Sequence, residues 1–302
     1  MKRIILMVAY NILLVPVMWF KLCYYARHVE KYTEEERYKM LRFIDSRAIK
    51  GGRITIDVHG QENIPKEDGF MFFPNHQGLF DVLAIMHACP RPFSVVMKKE
   101  VQNIPFLKQV FACMKAYAID RDDVRQSMQV ILQVAKEVKE GRNYLIFPEG
   151  TRTKDPNNVH DFKGGSFKSA TKAKCPIVPI ALIDSYKSFD TKSIERVTVQ
   201  VHILKPMLYE EYKDMKTVEI AAEVKSRIEK VIKKTNKKGL SNATDPFNLI
   251  SEITKGVIPV VFLNMAMKWL ESVKPLCLAI SCTSAWGKGE KKLFCLVHSP
   301  MS

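Results

Sequence analysis

Between residues 53 and 204, short apolar segments alternate with longer segments whose apolar residues recur at helical spacing. Segment 53–59 (RITIDVH) alternates like a strand, whereas segment 124–139 places its apolar residues on one side of a helix. The predicted strands are 53–59, 69–73, 93–97, 116–119, 143–147, 177–183 and 197–204, and the predicted helices are 33–50, 79–88, 124–139 and 218–234. Strands that alternate with helices predict an α/β domain in which helices are layered on a sheet.

The chain divides into three parts by the character of its sequence. Residues 1–50 hold an apolar segment followed by a helix, and Thr33 with the three glutamates after it predicts a capped start for that helix. Residues 51–239 hold the alternating pattern. Residues 240–302 show neither strand alternation nor a convincing membrane span, and they are predicted to be a C-terminal appendage of unassigned role.

The apolar segment at residues 4–20 has positive charge on both sides. It begins like a signal peptide, but the bulky residues that follow offer no small-residue cleavage site. A spanning helix needs about 20 apolar residues, and Asn11 and Pro16 interrupt this short run. An interfacial helix, a single span and a buried core helix all stay open. The aromatic and basic residues that could form an interfacial collar are Trp19, Lys21, Tyr24, Tyr25, Arg27 and Lys31.

The formal net charge of the 302 residues is +15. This excess favours polyanionic partners, namely nucleic acid, an anionic lipid surface or a phosphorylated substrate. The sequence has no zinc-finger spacing, no RNP-like strand and no basic heptad region, so we expect no nucleic-acid partner. Seven scattered cysteines without a Cys-x-x-Cys pair predict no disulfide framework, no zinc site and a reducing compartment.

The segment NHQGLFD at residues 75–81 contains a histidine and an aspartate five residues apart. A histidine can take a proton from a hydroxyl near neutral pH, and a carboxylate on its second ring nitrogen fixes the tautomer. With His76 before the predicted helix and Asp81 in its first turns, the carboxylate can reach back to the ring. His76 is therefore predicted to be a general base. No Gly-x-Ser-x-Gly nucleophile motif occurs, which favours direct attack by a substrate hydroxyl over a covalent intermediate.

A second motif, FPEGTR at residues 147–152, follows a predicted strand. Arg152 can hold a phosphate through two parallel hydrogen bonds, and Thr151 and the backbone at Gly150 can add donors. Glu149 would repel a phosphate, so we expect it to accept a hydrogen bond from a substrate hydroxyl or to hold an arginine in place.

A third segment, FKGGSFK at residues 162–168, combines glycines, a hydroxyl and two lysines near a predicted helix start. These groups favour a further contact with an anion. The spacing is not that of a P-loop.

Taken together, these segments resemble the 1-acylglycerol-3-phosphate acyltransferase family, the PlsC-like lysophospholipid acyltransferases. The matching blocks are Asn-His-x4-Asp at 75–81, AYAIDR at 116–121, FPEGTR at 147–152 and VPI at 178–180. The second block matches loosely, because Ala116 stands where the family often has glycine. Segment 98–100 (KKE) resembles a basic stretch of the family. The resemblance covers about residues 1–238.

The resemblance implies an α/β fold with a mixed β-sheet layered with helices, as in glycerolipid acyltransferases, after membrane-associated N-terminal helices. It also implies transfer of a fatty acyl group from acyl-CoA or acyl carrier protein to the sn-2 hydroxyl of lysophosphatidic acid, forming phosphatidic acid. His76 would remove the hydroxyl proton and Asp81 would orient His76. The residues implied to hold the glycerophosphate are Glu149, Gly150, Thr151, Arg152, Arg121 and Lys98.

The expected partners are the lipid bilayer, lysophosphatidic acid and the thioester donor, with no cofactor or metal besides that co-substrate. The resemblance places the catalytic domain on the cytoplasmic side of a membrane. Three other functions are weighed against this one: a family member acting on a different lysophospholipid or lipid acceptor, a non-catalytic membrane-surface module, and a serine or metal hydrolase. The His76–Asp81 pair argues against a binding module, and the missing nucleophile motif argues against a hydrolase.

Overall fold

The computed structural model describes residues 2–153 and 157–243, with side chains up to residue 236. Within these ranges the strands are β1 (Ile54–His59), β2 (Met71–Pro74), β3 (Ser94–Lys98), β4 (Tyr117–Ile119), β5 (Tyr144–Ile146), β6 (Ile177–Ile183) and β7 (Val197–Ile203). The helices are α1 (Lys2–Tyr10), α2 (Val15–Arg27), α3 (Glu34–Gly51), α4 (Asp81–Ala88), α5 (Leu107–Cys113), α6 (Val124–Lys139), α7 (Lys168–Ala173), α8 (Tyr209–Tyr212) and α9 (Thr217–Ala243).

The seven strands form one sheet in the order β1-β7-β6-β2-β5-β3-β4. Neighbours pair in parallel except β6 and β7, which are antiparallel. The predicted mixed sheet layered with helices is therefore confirmed. Strands β2 to β6 all run the same way, so their carboxyl ends meet at one edge of the sheet, which is where open α/β sheets bind ligands.

Helices cover both faces of the sheet, and the alternation of side chains along β2 shows why. Phe72 packs in the apolar cluster that includes residues of α2, α3, α4 and α5. Its neighbours Met71 and Phe73 pack in the cluster that includes residues of α6, α7 and α9. All seven residues of β6 are buried, as expected for a central strand with helices on each side.

The predicted apolar segment at residues 4–20 is two helices rather than one, because Asn11 and Pro16 divide it. The Asn11 side-chain amide donates to the carbonyls of Met7 (2.9 Å) and Arg47 (3.0 Å), and its oxygen accepts from the Arg47 guanidinium (2.8 Å). Pro16 lies in the first turn of α2, where a missing N–H costs nothing. Helices α1 and α2 meet at a 99° bend, and among the described residues no single helix is long and apolar enough to cross a membrane.

The N-terminal helices also pack against the rest of the described chain. The Arg3 guanidinium is buried and donates to the carbonyls of Gly52 (2.7 Å) and Ser193 (3.1 Å). The predicted start of α3 is confirmed, since Thr33 and Glu36 form a reciprocal capping box. At the other end, α9 continues to Ala243, beyond the predicted boundary at 239. The predicted appendage beyond residue 243 lies outside the described residues.

Candidate active site at the carboxyl edge of the sheet

Three neighbouring strands deliver their following residues to the same point. Strand β2 leads into Asn75 and His76, β5 leads into the FPEGTR segment, and β6 leads into Ser185. The Asn75 side chain fixes this edge, because its amide donates to the Leu182 carbonyl (3.0 Å) and its oxygen accepts the Leu182 N–H (2.7 Å). The His76 carbonyl in turn accepts the Thr153 N–H (2.9 Å), which ties the β2 and β5 loops together.

The predicted pair of His76 and Asp81 is formed, with 2.8 Å between His76 Nδ1 and Asp81 Oδ2. Asp81 begins α4 and is fully buried, whereas about a fifth of the His76 side chain is exposed. The imidazole also stacks on Phe147, with 4.0 Å between ring centroids. With Nδ1 donating to the carboxylate, Nε2 is the nitrogen that can accept a proton.

The Asp81 carboxylate has a full set of further donors. Its Oδ2 accepts the backbone N–H groups of Gln77 (2.7 Å) and Gly78 (3.0 Å), and its Oδ1 accepts the Ser185 hydroxyl (2.6 Å). Ser185 therefore lies behind the aspartate and not beside the histidine. The arrangement is one of a base held by a fixed carboxylate, and this serine is not placed to be a nucleophile activated by His76.

Glu149 lies beneath the histidine with only 2% of its surface exposed. One carboxylate oxygen accepts the His76 N–H (2.7 Å) and the other accepts the His160 N–H (3.2 Å). Burial raises the pKa of Glu149, and these two N–H groups oppose that rise. The structure thus differs from the expectation that Glu149 holds an arginine, since its two oxygens hold backbone groups instead.

Two cations converge on Gly150. The backbone there has a φ of +72°, and a Cβ at this position would lie 3.0 Å from Arg121 Nη2 and 3.4 Å from Lys163 Nζ. Arg121 donates to the Gly150 carbonyl. Both side chains are exposed, and neither forms an ion pair with a carboxylate in the described part of the chain. The turn therefore requires glycine, and it presents two unneutralised charges to an incoming anion.

The remaining predicted residues lie around this centre. The Arg152 guanidinium is about half exposed and stands 3.6 Å from an Asp190 oxygen. Asp190 also lies close to Gly78, whose backbone N–H donates to Asp81. Thr151 is exposed between Gly150 and Arg152. Lys98 ends β3, where it pairs with Glu100 at 2.7 Å and makes no contact with the His76–Asp81 pair.

Sequence reasoning missed the residues that lock this edge from other loops. Gln77 donates to the Asn157 side chain (2.6 Å), and its own oxygen accepts the Ser185 N–H (2.8 Å). His160 lies outside the motifs read from the sequence, and its backbone N–H donates to Glu149. Ser185 comes two residues after the end of β6, behind Asp184. Only the strand order, which puts β6 beside β2, could have placed Ser185 near the His76–Asp81 pair. Among the described residues, no group of three or more His, Cys, Asp or Glu side chains could hold a metal ion.

Part of the chain is similar to known acyltransferases. Residues 55–183 match the family model described as Acyltransferase. The chain is 32% identical over 150 residues to a 1-acyl-sn-glycerol-3-phosphate acyltransferase of Borreliella burgdorferi, covering 50% of this chain and 60% of that relative. It is 28% identical over 184 residues to the Saccharomyces cerevisiae protein of the same name, covering 60% of each chain. The chain thus spans about 60% of the length of these two curated relatives.

A solved structure has the same fold. The crystal structure of PlsC from Thermotoga maritima, a 1-acyl-sn-glycerophosphate acyltransferase, superimposes with a TM-score of 0.63 at 21% identity. The match covers 78% of this chain and 97% of that one.

Residues 55–183, which match the Acyltransferase model, include the His76–Asp81 pair and the cations Arg121 and Lys163 beside Gly150. The chain is similar over this part to relatives named 1-acyl-sn-glycerol-3-phosphate acyltransferases.

Proposed function

We propose that the protein transfers a fatty acyl group from a thioester donor, acyl-CoA or acyl carrier protein, to the sn-2 hydroxyl of 1-acyl-sn-glycerol-3-phosphate. The product is phosphatidic acid. The observation that carries the proposal is the His76–Asp81 pair, held at 2.8 Å at the edge of the sheet where Gly150, Arg121 and Arg152 also lie. The names of the relatives support the same reaction.

The chemistry follows from the position of the two imidazole nitrogens. Nδ1 is occupied by Asp81, so Nε2 takes the proton of the acceptor hydroxyl as its oxygen attacks the thioester carbonyl carbon. A carbon–oxygen bond forms, the carbon–sulfur bond breaks, and the proton on His76 passes to the leaving sulfur. Asp81 stabilises the imidazolium between these two transfers. The step needs no covalent intermediate on the protein.

The cations around Gly150 and Arg152 bind the phosphate of the acceptor. A phosphate monoester carries close to two negative charges, and Arg121, Lys163 and Arg152 can meet them with charge-assisted hydrogen bonds. Arg152 lies 3.6 Å from an Asp190 oxygen and is about half exposed, so its guanidinium is accessible to a closer partner. Lys98 pairs in register with Ile119, two residues before Arg121, but its ammonium group is already paired with Glu100.

Binding to a lipid surface is the second part of the proposal. Leu13 in the bend between α1 and α2 is 86% exposed, and Val17 (62%) and Phe20 (54%) on the following helix α2 are exposed as well. Apolar side chains of this kind insert into the interface of a bilayer, and basic flanks strengthen the attachment to anionic lipid. This arrangement would keep the site close to its membrane-borne acceptor, with the catalytic domain on the cytoplasmic side.

The reaction is tested with the full chain, radiolabelled acyl-CoA or acyl carrier protein, and three acceptors. We expect thioester release and phosphatidic acid with lysophosphatidic acid, and much slower transfer to monoacylglycerol, which lacks the phosphate. Faster transfer to a lysophospholipid with a larger headgroup would reassign the acceptor. No transfer from either donor to any of these acceptors would contradict the proposed reaction.

Membrane attachment is tested by flotation with vesicles of phosphatidylcholine and phosphatidylglycerol. A double variant, Leu13→Glu with Val17→Glu, is expected to lose most of its binding. Leu132→Glu is the matched control, because Leu132 is an exposed apolar residue (47%) on α6. Equal flotation of both variants would show that the α1–α2 bend is not the attachment surface.

A further inference from the structure

Ser185 is a fully buried serine whose hydroxyl donates to Asp81 Oδ1 at 2.6 Å. It follows β6, and Asp81 lies on α4 after β2, so the contact joins residues 104 positions apart in the chain. The distance lies in the range typical of a charge-assisted hydrogen bond from a hydroxyl to a carboxylate. Since Asp81 Oδ2 binds His76, the serine holds the opposite oxygen of the same carboxylate.

The hydrogen bonds around this contact close a ring. The Gln77 N–H donates to Asp81 Oδ2, the Gln77 side-chain oxygen accepts the Ser185 N–H, and the Ser185 hydroxyl donates to Asp81 Oδ1. All three residues are buried. A carboxylate held on both oxygens cannot rotate about its Cβ–Cγ bond without losing a bond in a dry environment, where each loss is costly.

We propose that Ser185 is a positioning residue for the acyl transfer, fixing the plane of the Asp81 carboxylate so that Oδ2 stays aligned with His76 Nδ1. The proposal rests on the proposed function of this site. Without the serine, Asp81 keeps its charge and its contacts with Gln77 and Gly78 but gains rotational freedom. The histidine ring that it orients then spends less time in the reactive position.

The charged groups that surround the pair are otherwise unchanged by removal of a serine hydroxyl. Glu149 accepts the backbone N–H groups of His76 and His160, one on each carboxylate oxygen. Asp190, which follows Ser185 in the same loop, lies close to Gly78. A change in the pH dependence of activity in a Ser185 variant therefore reports on the Asp81–His76 contact.

The chain offers a matched control on the same turn. Ser188 is 1% exposed, and its hydroxyl has no hydrogen-bond partner among the described residues. Ser188→Ala removes a hydroxyl of equal burial without touching Asp81. It is expected to keep the kcat, KM and pH profile of the unmodified protein.

The test compares Ser185→Ala with Ser188→Ala and the unmodified protein in the thioester-release assay. We expect kcat of Ser185→Ala to fall about tenfold to a hundredfold, with KM for lysophosphatidic acid changed less than about threefold. The pH–kcat profile of Ser185→Ala should change, whereas that of Ser188→Ala should stay that of the unmodified protein.

A second readout needs no turnover. The ring signals of His76 are compared by NMR in all three proteins, and they are expected to shift in Ser185→Ala alone. Unchanged ring signals in Ser185→Ala, or equal loss of kcat in the two alanine variants, overturns the positioning role. If the unmodified protein transfers no acyl group, the proposed reaction fails while the NMR comparison still decides whether Ser185 controls the pair.

Discussion

The described residues include two histidine–aspartate pairs that have almost the same length but lie in opposite surroundings. His76 and Asp81 are 2.8 Å apart, and His59 and Asp57 are 2.9 Å apart. Asp81 is fully buried, whereas half of Asp57 is exposed. The first pair lies at the carboxyl edge of the parallel strands, and the second lies on β1, which pairs with β7 away from that edge.

The difference shows that distance alone does not make a base. Asp81 accepts two backbone N–H groups and a serine hydroxyl besides His76, so its orientation is fixed. Asp57 is solvated, and an exposed ion pair of this kind contributes little because water competes for both partners. Burial and a complete set of donors therefore separate a pair suited to catalysis from a surface contact.

The largest effect is expected from Asp81→Asn compared with Asp57→Asn. An amide at position 81 keeps the shape but cannot stabilise the imidazolium, and it favours the wrong tautomer of His76. We expect kcat to fall about 10³- to 10⁴-fold. Asp57→Asn should leave kcat unchanged. The measurement is steady-state thioester release, and a similar small loss in both variants would remove the distinction between the pairs.

Arg152 extends the comparison to the cations beside the first pair. Arg152→Ala should raise KM for lysophosphatidic acid by about tenfold to a hundredfold, the loss expected for hydrogen bonds to a charged group, with a smaller change in kcat. Lys66→Ala removes an exposed cation ahead of β2 and is expected to behave like the unmodified protein. An unchanged KM in Arg152→Ala would show that the phosphate is held elsewhere.

Glu149 has no counterpart beside His59, so its replacement shows what backbone support adds to the first pair. A glutamine side chain keeps one accepting oxygen, but its NH₂ group then faces the backbone N–H of either His76 or His160. We expect kcat of Glu149→Gln to fall about tenfold, with KM for lysophosphatidic acid little changed. A raised KM with unchanged kcat would instead indicate that Glu149 contacts the acceptor directly.

The smallest expected effect is on the stability of the protein at acidic pH, and it involves His202, which stacks on His59 of the second pair. His59 stacks on His202 with 4.3 Å between ring centroids, and burial, followed by the charge of His59, lowers the pKa of His202 to about 4. In the unfolded chain this pKa is about 6.5. The unfolded state therefore binds more protons between pH 6.5 and 4, and stability falls as the pH falls through this range.

Replacing His202 by glutamine should remove this loss of folding stability at acidic pH. Between pH 7 and pH 5, the free energy of unfolding of the unmodified protein should drop by about 1 kcal/mol more than that of His202→Gln, after allowance for partial exposure. Urea unfolding at the two pH values measures the difference. Equal losses in both proteins would contradict the assigned cause, and acyl transfer at neutral pH should not change.

Much of the fold could be predicted because its elements are long or strongly patterned. The predicted bounds of α6 and β6 are those of the structure, Val124–Lys139 and Ile177–Ile183, since each has a clear apolar period or a continuous apolar run. Helix α5 was missed, because the seven residues Leu107–Cys113 make too few turns to show a period. The interruption at Asn11 was visible in the sequence, but its contacts with Arg47 depend on tertiary structure that no local pattern reveals.

Some residues of the site could likewise be predicted from the sequence and others could not. His76, Asp81 and the 147–152 segment could be found from spacing, because their partners are close in sequence or follow a strand. Ser185 and His160 could not, since their roles depend on the position of β6 beside β2 and on the loop that follows β5. Lys163 lay within a segment predicted to favour anions, but only the fold places it beside Gly150.

The most direct test of the account replaces one histidine of each pair by alanine and compares phosphatidic acid formation at saturating lysophosphatidic acid and donor. We predict that His76→Ala lowers kcat by at least about 10³-fold, while it retains the fold and vesicle binding of the unmodified protein. His59→Ala should form phosphatidic acid at the unmodified rate. Substantial acyl transfer by folded, membrane-bound His76→Ala would contradict the assignment of His76 as the base.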